Sequence, residues 1–248
     1  MDCNRIFAPL SFLTILPVPK TAITDLKTSA DNMHLFPIIG ALIGLVIGAL
    51  AFVISLFMTN FLVGFFVALV TLLITGIHHS DALGDFADGL MAMGSKELKR
   101  KVMKDPSLGA AGTLSLIFYV IGIIIATASF NSALNLVASL IAAEVIAKFV
   151  MVMEAGRSNS AWEGFSTPFT EAMKDKKKIA FSICFTVAIV VILTGYFGLI
   201  TLGLCVIIGL TICRLSNKNF GGLTGDVLGA SNEICRLLSL LILSQLIP

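Results

Sequence analysis

Charged residues are scarce in this 248-residue chain. Asp, Glu, Lys and Arg make up 13% of it, whereas they make up about 25% of a soluble domain. With 57% hydrophobic residues, too few polar side chains remain to cover a water-exposed surface. The net charge of +2 is too small for a nucleic-acid-binding protein. The composition therefore indicates a multi-pass helical membrane protein.

Paired cysteines are also lacking. The five cysteines are scattered and form no C-x-x-C motif, which argues against a metal–thiolate site. Most of them lie within or beside apolar runs, so we expect them to be small buried side chains.

Seven apolar segments are candidates for membrane-crossing helices, which need about 20 residues each. The last two are short, so we expect the sixth to form a hairpin with the fifth and the seventh to cross only partly. The region 6–18 carries Pro9 and Pro17 and is followed by Pro19, and it is expected at the interface or as a re-entrant segment. The predicted fold class is all-α, a multi-pass transmembrane helical bundle with six or seven spans in a single integral membrane domain, 1–248. The segments are 36–58, 61–77, 112–130, 133–153, 179–197, 198–213 and 234–247.

The connections between these segments alternate in charge. Those at 59–60, 131–132 and near Gly198 carry no charged residue. Apart from Glu144 and Lys148, the charged residues lie on the other connections or at span edges beside them. By the positive-inside rule this side is cytoplasmic. We therefore expect a polar site at the cytoplasmic face of the cell membrane.

Three aspartates follow the second apolar segment, in the string H-H-S-D-A-L-G-D-F-A-D-G-L over 78–90. Steps of four and three residues place Asp81, Asp85 and Asp88 on one helix face, where like charges repel. A divalent cation makes such a cluster favourable, and carboxylate oxygens suit magnesium, which also takes substrate phosphates. A merely solvated helix end is the alternative. His78 is expected on the Asp81 side, and His79 on another.

Two more polar segments accompany the aspartates. The first is a basic run that ends at Lys104 and Asp105; Lys104 is expected to hold phosphate oxygens, and the rest to be a solvated face. The second is G-G-L-T-G-D-V-L-G-A-S-N-E over 221–233, whose glycines free backbone N–H groups for an anion. An ordinary loop before a helix explains that second segment equally well.

Together these motifs resemble the cobalamin synthase family of adenosylcobinamide-GDP ribazoletransferases. His79 to Gly89 is similar to the family's H-L-D-G-L-A-D-T-A-D-G, and Gly221 to Ala230 to its G-G-x-T-G-D-x-L-G-A. The runs S-F-L-T-I-L-P-V-P over 11–19 and F-P-I-I-G over 36–40 are also similar. Lys104 stands where the family commonly has Arg, which loses bidentate geometry.

The resemblance implies transfer of the phosphocobinamide group of adenosylcobinamide-GDP to α-ribazole or α-ribazole 5′-phosphate, with release of GMP. It implies Mg²⁺ as cofactor, with Asp81, Asp85 and Asp88 as metal ligands and catalytic groups. The lipid bilayer is a further partner, no nucleic acid is expected, and homo-oligomer formation stays open. The substrate-binding residues that the resemblance implies are His79, Lys104, Asp105, Gly221, Gly222, Thr224, Gly225, Asp226, Asn232 and Glu233.

Two other classes stay open. A magnesium-dependent membrane phosphotransferase of the CDP-alcohol type would use a similar Asp-rich helix, but its D-G-x-x-A-R signature is absent. An ion-coupled transporter would use Glu144 and Lys148 at mid-depth. These two residues are four apart in the sequence, so a structural ion pair between them is an equally good explanation.

Overall fold

The computed structural model describes residues 4–22 and 25–247, so Cys3 lies outside the described part. Within that part the chain is helical, and its only β-type pairing is an isolated bridge between Ser160 and Leu223. The all-α prediction is confirmed. The helices are α1 (Asn4–Leu13), α2 (Leu26–Asp31), α3 (Phe36–Ser55), α4 (Asn60–Ile74), α5 (His78–Met91), α6 (Lys96–Met103), α7 (Ala110–Ala128), α8 (Ala133–Arg157), α9 (Thr167–Ala172), α10 (Lys176–Asn219) and α11 (Gly225–Leu246).

Helix α10 is a hairpin of two antiparallel arms. Its 44 residues would span about 66 Å if straight, twice the thickness of a bilayer core. Gly195 breaks it, with φ 60° and ψ −146°. Ile179 near its start packs against Gly156 of α8, and Gly209 near its end packs against Met153 of α8. Both ends of α10 therefore lie at the same end of α8, which confirms the predicted hairpin.

Five helices in the described residues are long and apolar enough to cross a membrane. Counting the two arms of α10 separately gives six candidate crossings, and the bent pair of α4 and α5 is a further candidate, as a broken span or a re-entrant loop. The second predicted segment, 61–77, corresponds to α4 and the turn after it, and α5 is bent 92° from α4. Gly76 and Ile77 cause the bend by adopting left-handed φ values of 65° and 66°. Helix α5 thus leaves the crossing direction and lies at the charged end of the bundle.

Helix α8 is the centre of the bundle and packs against α3, α10 and α11. Gly40, Gly44 and Gly48 place a smooth face of α3 directly on the α8 backbone. A Cβ atom on Gly40 would stand 2.6 Å from the carbonyl oxygen of Glu144. Such small-residue faces let helices approach closely where no hydrophobic effect drives them together.

Two sequence predictions are corrected here. The last segment is not short, because α11 begins at Gly225 and runs for 22 residues. Polar residues in its first turns hide it from hydropathy, but they are buried inside the bundle. Cys184 is exposed rather than buried, because it lies on a face of α10 turned away from α8; Cys205, Cys213 and Cys235 are buried as expected.

Candidate active site

Helices α5 and α11, which carry the two main motifs, pack directly against each other. Gly229 makes this possible, since a Cβ atom there would stand 2.5 Å from the Cβ of Ala82. The contact brings Asp226 of α11 within electrostatic reach of Asp81 and Asp85 of α5. We call Asp81, Asp85, Asp88 and Asp226 the acidic cluster.

Burial and the convergence of these carboxylates raise the pKa of Asp85. Partial burial raises the pKa of its carboxyl, the charges of Asp81, Asp226 and Asp88 raise it further, and the result is about 6. A carboxylate with a pKa near neutrality is suited to accept a proton during turnover.

Asp88 has a second role in the structure. Its two carboxylate oxygens accept hydrogen bonds from the backbone N–H groups of Gly109 (2.7 Å) and Gly112 (2.8 Å). These groups lie at the N-terminus of α7, where a negative charge is favourable. Asp88 therefore ties α5 to α7, and its role as a metal ligand stays a prediction.

The chemistry of the acidic cluster fits Mg²⁺, because all its donors are carboxylate oxygens. Among residues 4–22 and 25–247, no three His, Cys, Asp or Glu side chains converge closely enough to hold an ion alone. Mg²⁺ does not require this, since it commonly binds one or two carboxylates and completes its shell with water and substrate phosphates.

A cavity of about 850 Å³ opens beside the cluster. Its polar wall contains His78, His79, Lys104, Thr224 and Asp226. Lys104 lies near Asp226, and its Nζ stands 4.6 Å from the centre of the Trp162 ring. Asp105 is exposed and accepts a hydrogen bond from the N–H of Ser107 (2.9 Å), so it closes its own turn.

The glycine-rich segment is held by a neighbouring loop. Leu223 exchanges backbone hydrogen bonds with Asn159 and Ala161, each 2.9 Å long. Gly222 lies so close to Ala161 that a Cβ atom would stand 2.6 Å from its backbone, and Gly221 has a φ of 85°. The two glycines are thus required by this backbone pairing, which is independent of any ligand.

Arg100 of α6 fixes the same region from the other side. Its guanidinium donates to the carbonyl oxygens of Phe220 (2.7 Å) and Ala161 (3.1 Å). Thr224 then begins α11, because its hydroxyl accepts from the N–H of Val227 (3.2 Å). The arrangement leaves Gly225 and Asp226, in the first turn of α11, facing the cavity.

The sequence matches a family model described as cobalamin-5-phosphate synthase over residues 5–244. The chain belongs to this family. A relative from Methanocella arvoryzae, named adenosylcobinamide-GDP ribazoletransferase, is 30% identical and covers 96% of this chain and 94% of its own. Relatives of the same name from Clostridium tetani (29%, covering 96% and 95%) and Methanosarcina barkeri (31%, covering 95% and 90%) are similar. No solved structure matches.

In this family member, a buried charge network lies beneath the site, and the sequence indicated only one part of it, the pairing of Glu144 with Lys148 that was one of two explanations for these residues. Arg236 donates to both Glu144 and Glu233 and to the hydroxyl of Tyr119 (2.8 Å), and Lys148 pairs with Glu144. The four charged side chains are at most 2% exposed. The spacings Glu144-Lys148 and Glu233-Arg236 were the available signal, because each puts opposite charges on one helix face.

The network also reaches the cavity through His79. Asn232 donates to Glu233 (2.9 Å), and its side-chain nitrogen lies 3.4 Å from Nδ1 of His79. Asn232 and Glu233 are fully buried and support His79, which lines the cavity. The substrate-binding role predicted for these two residues stays a prediction.

Proposed function

We propose that this chain transfers the phosphocobinamide group of adenosylcobinamide-GDP to α-ribazole or α-ribazole 5′-phosphate and releases GMP. The observation that carries the proposal is the convergence of two family motifs, with Asp81 and Asp85 of α5 beside Asp226 of α11. Family membership over nearly the whole chain supports it. We place the site on the cytoplasmic side of the cell membrane, because the charged connections meet there.

The reaction is a phosphoryl transfer. The ribazole 3′-hydroxyl attacks the phosphorus bonded to cobinamide, a new P–O bond forms, and the P–O bond to GMP breaks. Asp85 accepts the hydroxyl proton, since its pKa of about 6 leaves it ionised at neutral pH yet basic enough for the task.

Asp81 and Asp226 hold Mg²⁺ in this proposal. When bound with the diphosphate, the ion neutralises the charge that develops on the leaving GMP. Lys104 adds positive charge to the polar wall for a phosphate oxygen. The N–H groups at the start of α11 provide a further anion-binding surface.

The alternatives lack comparable support. Glu144 and Lys148 are accounted for by the pairing of Glu144 with Lys148 and with Arg236, so these two residues no longer point to an ion-coupled transporter. No observation specifically favours a CDP-alcohol phosphotransferase.

The decisive experiment supplies purified protein with adenosylcobinamide-GDP, α-ribazole and Mg²⁺, and measures GMP release. Asp81→Asn and Asp226→Asn should each lower the rate by about a hundredfold or more, as expected for a lost charged group in such a site. Glu171→Gln removes an exposed carboxylate of α9 and is the matched control. Wild-type protein that releases no GMP, but acts on CDP-diacylglycerol and an alcohol, would contradict the proposal.

A further inference from the structure

A second wall of the cavity is aromatic and is built from three segments of the chain. Phe12 comes from α1, Phe36 from the start of α3, Phe165 from the loop before α9, and Phe169 from α9. The ring centres of Phe12 and Phe36 are 5.8 Å apart, those of Phe12 and Phe169 5.1 Å, and those of Phe165 and Phe169 5.9 Å. We call these four residues the aromatic wall.

Phe165 is the open end of this wall. It is 52% exposed, although it lies on a connection at the charged end of the bundle, where lipid tails do not cover it. Its loop is fixed, because Ser166 donates to the carbonyl oxygen of Leu223 (3.0 Å). An exposed phenylalanine on a fixed loop presents a ready-made apolar face to the cavity.

The position of Phe165 relates the aromatic wall to the acidic cluster. Its ring stands over Gly225, where a Cβ atom would come within 2.8 Å of it. Gly225 directly precedes Asp226 in the first turn of α11. A ligand whose ring contacts Phe165 therefore has its next chemical group beside Asp226.

Few free hydrogen-bonding groups lie at the aromatic wall, and this limits the kind of ligand ring that can bind there. The two hydroxyls near it are already engaged, since Ser11 donates to the carbonyl oxygen of Ala8 (3.0 Å) and Ser166 to that of Leu223. The four phenylalanines themselves offer no partner to the several donors and acceptors of guanine, so burying guanine against them is costly. A benzimidazole ring is flat, largely apolar and needs few partners.

We propose that the aromatic wall is the subsite for the heteroaromatic base of α-ribazole. This inference rests on the proposed function and assigns one of its two substrates to one part of the cavity. The base lies against Phe165, and the attached ribose extends towards Asp226 and the proton acceptor Asp85. The activated corrinoid then binds with its diphosphate at the polar wall.

The first test is steady-state kinetics on Phe165→Ala and Phe165→Tyr, with each substrate varied while the other is saturating. Stacking of a base on an aromatic side chain predicts about a tenfold or larger rise in KM for α-ribazole in Phe165→Ala. The KM for adenosylcobinamide-GDP should stay unchanged, and Phe165→Tyr should behave like wild type. Phe181→Ala, which removes a 45% exposed ring outside the cavity, is the matched control.

The second test reads binding without turnover. Equilibrium dialysis of wild-type protein, Phe165→Ala and Phe12→Leu measures the affinity for α-ribazole and, separately, for GMP. Both variants should bind α-ribazole more weakly and GMP as wild type does. Selective loss of GMP binding, or unchanged α-ribazole binding in both variants, would overturn the inference. Absence of GMP release by wild type would instead count against the proposed function, and the dialysis still decides the subsite.

Discussion

Asp81, Asp85 and Asp88 are the same amino acid on one helix, yet they have different surroundings. Asp81 is exposed, Asp85 is partly buried among other carboxylates, and Asp88 accepts two backbone hydrogen bonds. The spacing in the sequence predicted their shared face. It did not predict the contact of Asp88 with α7 or the arrival of Asp226, because both depend on how distant helices pack.

The raised pKa of Asp85 predicts an acid limit to activity. Turnover should fall towards acid pH, with a limit no higher than about 6 because a bound cation lowers this pKa, since the protonated carboxyl cannot accept the ribazole proton. In Asp85→Asn the residual activity should not show this limit, because the titrating carboxyl is gone. The check is a pH–rate profile from about pH 4.5 to about pH 8. An identical limit in both proteins would exclude Asp85 as the group that titrates.

The raised pKa also gives a stability prediction with a definite sign. Ionisation of Asp85 is less favourable in the folded protein than in the unfolded chain. The stabilisation from its protonated form is therefore present below the ordinary pKa of 3.8 and is lost as the pH rises through about 6. Thermal unfolding of the metal-free protein should show this loss between pH 4 and 7, and Asp85→Asn should remove it.

Asp88 offers a way to separate structure from catalysis. Asp88→Ala removes the acceptor for Gly109 and Gly112 and should lower the free energy of unfolding by about 1–2 kcal/mol, as for a lost helix cap. Asp105→Ala removes an exposed carboxylate from its own turn and is the control. Thermal unfolding in detergent measures both. Full stability together with lost turnover in Asp88→Ala would instead assign Asp88 to the metal.

At the scale of elements, α11 shows where hydropathy misleads. Its first turns carry Asp226, Asn232, Glu233 and Arg236, which made the span seem to begin nine residues later than it does. Asn232, Glu233 and Arg236 are buried, and Arg236 pairs with Glu233 of the same helix and with Glu144 of α8. A pattern based on exposure to lipid cannot recognise a polar face that another helix covers.

The charge network between α8 and α11 should therefore be cooperative. Arg236→Met leaves Glu144 and Glu233 without their main partner and should cost about 3–5 kcal/mol of stability. Adding Glu233→Gln to Arg236→Met should recover part of this loss, because one uncompensated charge is removed. Unfolding in mixed micelles measures the two variants. Equal stability of Arg236→Met and wild type would show that the pairing contributes nothing.

For the molecule as a whole, composition and charge pattern predicted the fold class, the hairpin and the convergence of charged connections at one end. The turn of the hairpin was expected near Gly198 and lies at Gly195. The bend at Gly76 and Ile77 escaped prediction, because only the backbone shows that Ile77 adopts a left-handed conformation. The aromatic wall also escaped prediction, since its rings come from three separate segments that only the folded chain brings together. The spacing of residues in the sequence shows which of them share a helix face. It does not show which helix faces pack against each other.

Single-cysteine labelling tests the orientation that the charge pattern predicts. In a cysteine-free background, Ser95→Cys and Lys218→Cys should react with a membrane-impermeant reagent only after the cells are opened, because both lie on charged connections. Asn60→Cys, at the charge-free end, is the counterpart and should react in intact cells. Labelling of residue 95 or 218 from outside would reverse the orientation.

The connections at the charge-free end are very short, running from Leu56 to Thr59 and from Ser129 to Ser132, with the third reduced to the break at Gly195. A protease needs a flexible, unfolded stretch of chain to seat in its cleft, and these turns offer none. Intact cells treated with trypsin should therefore keep the protein whole. In vesicles of mixed orientation, digestion should divide the population in two, sparing every molecule whose charged face is enclosed.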